Sequence, residues 1–158
     1  QYQSELPINW VLLCVGSDTH GIQRDLQEQA EVLGISRHVK FTGARSDVHD
    51  ILQASDLAVL CSHQEGFSNA VLEAMAAQLP LVVTDVGGNA EAVRDGVDGF
   101  VVPPRSVGRL GESIARLARD SNLRRKLGQS ARSRVESNFS MPICINNYEN
   151  VYDEILSG

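Results

Sequence analysis

The chain has 158 residues, enough for one ordinary domain with a real core and short for a complete two-domain enzyme. Lys and Arg total 14 against 20 Asp and Glu, a formal net charge of -6, which argues against nonspecific binding to nucleic acid or an acidic membrane as the main activity. Cys14, Cys61 and Cys144 are odd in number and far apart, and His20, His38, His49 and His63 are scattered, so the pattern favours a reducing compartment and offers no zinc spacing.

Along the chain, short apolar runs alternate with segments of helical period. None approaches the roughly 18 apolar residues of a membrane span. The opening QYQSELPINW lacks the basic start and apolar centre of a signal peptide, which points to a soluble, cytoplasmic protein. Residues 10–15 form the first predicted strand, ended by Gly16, and Ile22, Leu26, Ala30 and Leu33 mark a helix over 22–33 with Gly34 as its stop. A second strand is expected at 39–42, a short helix at 48–54, and a third strand, apolar throughout, at 57–61. A helix at 68–77, a strand at 81–84, a helical turn at 89–93 and a strand at 100–102 follow. Beyond Pro103-Pro104 the chain grows richer in Arg and Ser, with helices predicted at 106–119, 121–136 and, as the C-terminal helix, 142–156.

This alternation, with strands too uniformly apolar to have a wet face, predicts an α/β, Rossmann-like fold over residues 1–158: a parallel sheet with helices on both faces. Ligands in such folds sit at the C-terminal ends of the strands, which singles out the loops 16–21, 42–47, 62–69 and 85–89.

The most informative loop is Ser62-His63-Gln64-Glu65-Gly66-Phe67-Ser68-Asn69. Ser68 and Asn69 are both suitable N-cap residues, Gly66 lets a ligand approach the backbone, and the first helical amides lack internal partners, so a phosphate suits the position. Glu73 follows about one and a half turns into the helix among apolar neighbours. It either pairs with a basic residue such as Arg94, rides the exposed edge of the helix, or binds a ligand such as ribose hydroxyls. Glu65 is either a solvated loop acid or a ligand for sugar hydroxyls.

The stretch from Glu65 to Ala76 (EGFSNAVLEAMA) resembles the E-x7-E motif of retaining, GT-B-fold glycosyltransferases of the group often called family 4. The segments PLVVTDVGGNAE and DGVDGFVVPP downstream, and Val15-Gly16 and Phe41-Thr42-Gly43 upstream, continue the resemblance in order. It implies a nucleotide-sugar-binding domain, the C-terminal half of a GT-B fold, lacking its first strand and helix and the separate domain that binds the acceptor. In that resemblance Glu65 is the catalytic-site glutamate that contacts the donor sugar, and Glu73 holds the ribose. Backbone from Gly66 through Phe67 and Ser68 to Asn69 meets the sugar and diphosphate, Gly16 and Ser17 lie close to the donor, and Thr42 and Arg45 edge the base. The resemblance also implies a nucleotide-sugar used as substrate, no cofactor and no metal, and transfer to a glycan, lipid or other hydroxyl acceptor, with peripheral membrane contact where the acceptor is lipid-linked. By itself the chain is expected to be inactive in transfer. The other readings are a GT-B-fold sugar-nucleotide epimerase and a noncatalytic nucleotide- or protein-binding module.

The remaining features have plainer readings. Arg124, Arg125, Lys126, Arg132 and Arg134 read as a solvated helix face, and Ile145, Tyr148, Tyr152 and Ile155 as a stripe packed on the core rather than on a missing acceptor domain. His63 reads as a loop residue rather than a base. Gln78 stands where the family often has a glycine, at the end of the motif helix, and a left-handed cap there would cost about 1 kcal/mol.

Overall fold

The computed structural model describes residues 2–19 and 21–157, apart from the side chain of Gln3; His20, one of the scattered histidines, lies outside the described residues. Five strands, β1 (Leu12–Val15), β2 (Val39–Gly43), β3 (Ala58–Leu60), β4 (Leu81–Thr84) and β5 (Gly99–Val102), alternate with helices α1 (Gln23–Val32), α2 (Val48–Gln53), α3 (Asn69–Ala76) and α4 (Asn89–Ala92). Three longer helices, α5 (Val107–Arg119), α6 (Ser121–Asn138) and α7 (Met141–Ser157), close the chain. Each predicted element is present, with ends displaced by one or two residues.

Helix ends follow local chemistry. The Asp18 carboxylate accepts the amides of Ile22 and Gln23 at 2.9 and 3.2 Å ahead of α1. Asp120 caps α6 by accepting from Leu123 N at 2.9 Å. Helix α3 ends in a Schellman turn: Gln78 N donates to Met75 O and Leu79 N to Ala74 O, both at 3.0 Å. Gln78 takes the left-handed conformation, φ 64°, that this turn requires, so the helix ends as a glycine would end it, with the strain retained.

All ladders are parallel, as predicted, but the sheet is in two parts. Strand β1 pairs with β2, and β3–β4–β5 form a separate three-stranded sheet. Strand β4 is buried throughout: Leu81 and Val83 face a cluster with Val71, Met75, Val93 and Ala131, whereas Val82 faces Val102, Leu117 and Leu127. Helices therefore cover both faces of this sheet. The two-stranded sheet departs from that expectation, since Leu12, Leu13 and Val15 of β1 remain 40–44% exposed. Its second edge has no strand partner among the described residues, so its apolar side chains lack the neighbours that enclose β4. Trp10 stacks on His38 with ring centroids 4.4 Å apart, and His38 Nδ1 hydrogen-bonds Trp10 O at 2.8 Å, which ties the start of β1 to that of β2.

Two further expectations are corrected. The stripe on α7 does not pack on the core: Ile145, Tyr148, Tyr152 and Ile155 are all more than half exposed, and α7 contributes no buried residue. Three of the four arginines of α6 are tethers rather than part of a solvated face. Arg124 donates to Leu117 O and Ala118 O at the end of α5, Arg132 to Ala76 O at the end of α3, and Arg134 to Glu91 O and Ala92 O at the end of α4. Cations at helix C-termini meet the carbonyls left unpaired there and the negative end of the helix dipole. Arg125 and Lys126 remain exposed. Among the described residues no helix is long and apolar enough to cross a membrane.

Candidate functional site

The loops singled out by the sequence all leave the C-terminal ends of the parallel strands. Glu65, in the loop after β3, is half-buried, and its Oε1 accepts a 2.6 Å hydrogen bond from Ser62 Oγ. It is thus neither loose nor fully solvated. The loop after β4 presses on it from behind. Gly88 N donates to Gly66 O at 2.7 Å, and Gly87 takes φ 53° with its Cα so close to the Glu65 carbonyl that a Cβ would overlap it. The Phe67 ring packs over Gly88 and lies 5.4 Å from the Phe139 ring, centroid to centroid. That ring anchors the loop, leaving its backbone as the part that faces a ligand.

Ser68 is the N-cap of α3, but its side chain makes no capping bond. The first turn closes with Leu72 N on Ser68 O at 3.3 Å, so the amides of Asn69, Ala70 and Val71 project from the helix end. Four aligned peptide units and more behind them give this end a partial positive charge suited to an anion. Glu73 is exposed on the same helix and has no ion pair among the described residues.

The alternative partner for Glu73 is excluded. Arg94 Nη2 and Nε contact Asp98 Oδ1 and Oδ2, both at 2.8 Å, and Ser130 Oγ donates to Asp98 Oδ1 at 2.7 Å. Asp98 is fully buried and only four residues from Arg94, so it needs that guanidinium far more than an exposed glutamate does. Burial pushes the Asp98 carboxyl up, but the hydrogen bonds from Arg94, Ser130 and the Arg94 backbone, with the Arg94 charge, outweigh it and hold the carboxyl below its usual value.

A second group gathers at the ends of β1 and β2. Gly16, φ 138°, donates through its amide to Gly43 O at 3.0 Å, and Thr42 Oγ1 donates to Cys14 O at 3.3 Å. Gly16 and Ser17 line an open depression of about 190 Å³ with Asp18, Gln23 and Phe41. Arg45 is engaged with Asp47 in two bonds of 2.8 and 2.6 Å, which raise the guanidinium pKa and lower that of the carboxyl. Burial and, secondarily, the Cys61 thiol push the Cys14 thiol up. No hydrogen bond or ion pair among the described residues joins this group directly to Glu65 and Glu73. His63 is exposed in its loop, and no three His, Cys, Asp or Glu residues converge as metal ligands among the described residues.

Sequence reasoning missed Ser62, Thr84 and Gly87. A serine or threonine beside a loop carries no signal by type; the Gly87-Gly88 pair, at the end of a buried strand, was the one local sign of a close backbone approach.

Comparison with known proteins adds the wider context. The sequence profile of the family Glycosyl transferases group 1 matches residues 3–134. EpsD of Bacillus subtilis is 40% identical over 111 residues, 70% of this chain and 29% of that protein. HepE of Anabaena, solved in complex with UDP and with UDP-glucose, superposes on 95% of this chain and 43% of its own at 27% identity, with TM-scores of 0.86 and 0.85. The C-terminal domain of LpcC from Francisella tularensis, a glycosyl transferase group 1 family protein, superposes on 84% of this chain and 71% of its own at 28% identity and a TM-score of 0.76. The chain spans 29–34% of the length of the first four curated relatives.

Proposed function

This chain belongs to the glycosyl transferases group 1 family, and from that premise we propose that it is the nucleotide-sugar-binding domain of a retaining, family 4-like glycosyltransferase. The whole enzyme transfers a sugar from a nucleoside diphosphate to a hydroxyl of a glycan, lipid or other acceptor. One observation carries the reading: Glu65, already oriented by Ser62, lies three residues before the N-cap of α3, whose first amides are unpaired within the helix, and Glu73 is displayed on the same helix without an ion pair among the described residues. Two carboxylates flanking an anion site match a ligand with hydroxyls on either side of a diphosphate.

In this reading Glu65 accepts from sugar hydroxyls, Glu73 from the ribose, and the backbone from Gly66 through Phe67 and Ser68 to Asn69 meets the diphosphate. Gly16 and Ser17 form the opposite wall, and Thr42 and Arg45 edge the base. When the bond from sugar to diphosphate breaks, the departing phosphate oxygen takes the electron pair, and preorganised amides lower the energy of that charge. Donor binding so described needs no metal and no cofactor. The α7 stripe is assigned to contact with an acceptor-binding part of the enzyme, and the protein to the cytoplasm, at most peripheral to a membrane. The HepE complexes make UDP the first nucleotide to test.

The test titrates UDP, GDP and their sugars into this chain and into Glu73→Ala. Wild type should bind one nucleotide class, with or without EDTA, and Glu73→Ala should bind about tenfold more weakly, a loss of about 1.4 kcal/mol. Because Glu73 is exposed, the variant should melt like wild type. A folded wild-type sample that binds none of them at millimolar concentration would refute the reading.

A further inference from the structure

The groups behind Glu65 have no part in the ligand contacts just described, yet they form a relay that ends on one of its oxygens. The bond from Ser62 Oγ to Glu65 Oε1, 2.6 Å, has the length of a hydroxyl donating to a charged carboxylate. The backbone of Ser62 is fixed in turn, because Thr84 Oγ1 donates to Ser62 O at 2.7 Å. Thr84 is 4% exposed and ends β4, the strand buried on both faces. Its own carbonyl accepts from the buried Asn89 Nδ2 at 3.0 Å. A line of hydrogen bonds therefore runs from the interior of the sheet to a carboxylate in a loop.

This arrangement has a chemical use. An unrestrained glutamate must lose its rotamer freedom when a ligand arrives, whereas one already held does not. A hydroxyl bound to Oε1 also divides the labour of the carboxylate, leaving Oε2 as the acceptor for an incoming hydroxyl. Gly87 and Gly88 block retreat of the loop, because the Glu65 carbonyl rests against the first and Gly66 O is bonded to the second.

We infer that Ser62, braced by Thr84, is a positioning residue that presets the Glu65 carboxylate so that its free oxygen receives a hydroxyl of the donor's sugar. This rests on the donor-site reading above, and it goes beyond it in separating recognition of the sugar from recognition of the nucleotide. A serine that only stabilised the loop would weaken both alike.

The experiment compares affinities for UDP and GDP with those for UDP-glucose, UDP-galactose, UDP-N-acetylglucosamine and GDP-mannose, measured by calorimetry or ligand-observed NMR on wild type, Ser62→Ala, Ser62→Thr and Glu65→Gln. Ser62→Ala should lose about three- to tenfold in affinity for the sugar nucleotide that wild type prefers, the effect of one hydrogen bond, with affinity for the bare nucleotide unchanged. Ser62→Thr, which keeps the hydroxyl, should restore most of the difference. Thr84→Val, which removes the brace at nearly constant volume, should shift the same ratio in the same direction and stands in should Ser62→Ala fail to fold. An unchanged ratio in a folded Ser62→Ala, an equal loss for nucleotide and sugar nucleotide, or a Ser62→Thr that behaves as the alanine variant would overturn the inference. Wild type that binds the nucleotides while Glu65→Gln leaves the ratio untouched would overturn the assignment of Glu65 to the sugar. Wild type that binds neither class removes the donor reading and the positioning role together.

Discussion

Replacing Gly87 with alanine should disable the site through the backbone alone. The residue has φ 53°, where a side chain costs about 1–2 kcal/mol. A Cβ there would overlap the Glu65 carbonyl oxygen and crowd that of Gly66, so the 62–67 loop has to retreat. Retreat breaks the 2.7 Å bond from Gly88 N to Gly66 O, about 1 kcal/mol more. The total is about 2–3 kcal/mol, which for a chain of this size lowers the melting temperature by about 4–12 °C. Gly96→Ala provides the control. Its φ of 71° imposes the same strain, but nothing lies within 4 Å of the added methyl, so it should cost only about 1–2 kcal/mol. Circular dichroism melts and nucleotide-sugar titrations on both variants separate strain from collision: Gly87→Ala should melt lower and bind about tenfold or more weakly, whereas Gly96→Ala should bind as wild type does. Equal melting temperatures and equal affinities in the two variants would refute the close approach between the loops.

Three other outcomes follow from packing and charge. Asp98→Ala removes a buried acceptor from the half-exposed Arg94 side chain, from the Arg94 amide and from Ser130 Oγ, and should destabilise the fold by about 1–3 kcal/mol in chemical denaturation. Because the folded Asp98 pKa lies below its unfolded value of about 3.9, its contribution is full above that pH and is lost as pH falls through the depressed folded value; wild type should lose stability there and Asp98→Ala should not show that component. Gln78→Gly relieves the left-handed strain after α3 and should raise the melting temperature by about 2–4 °C, roughly 1 kcal/mol. The pair Tyr148→Ser and Ile155→Ser should leave the melting temperature of this chain within about 4 °C, since exposed positions contribute within about 0.5 kcal/mol each, whereas Leu117→Ala should cost about 2–5 kcal/mol.

The elements were legible because apolar runs and helical periods report on local preference. What periodicity does not report is who covers a side chain. LLCV in β1 is as apolar as LVVT in β4, yet the first is largely exposed and the second enclosed, because enclosure depends on helices and strands distant in sequence. The α7 stripe was misread for the same reason: a period identifies a face but not its partner. The arginines of α6 looked like a solvated patch since their acceptors are carbonyls on α3, α4 and α5, up to 56 positions away. For Glu73 the local pattern left three options, and one was removed only when Arg94 proved to be committed to Asp98. The pull of a buried carboxylate is a property of three dimensions.

The divided sheet gives the two walls of the proposed site unequal firmness. Before β3, only Ala30 and His38 are buried among the described residues, whereas both core clusters lie beyond it. Amide exchange should therefore be fastest across β1, β2 and the loop at Gly16, and slowest in β4 and α3. Where one wall is firm and the other opens readily, a ligand that spans them acts as a fastener: at a hundredfold excess over Kd it adds about 2.7 kcal/mol to the opening free energy of the wall it closes. Protection that spreads from Glu65 toward Gly16 as nucleotide is added would make occupancy of the site readable as order gained in the looser half.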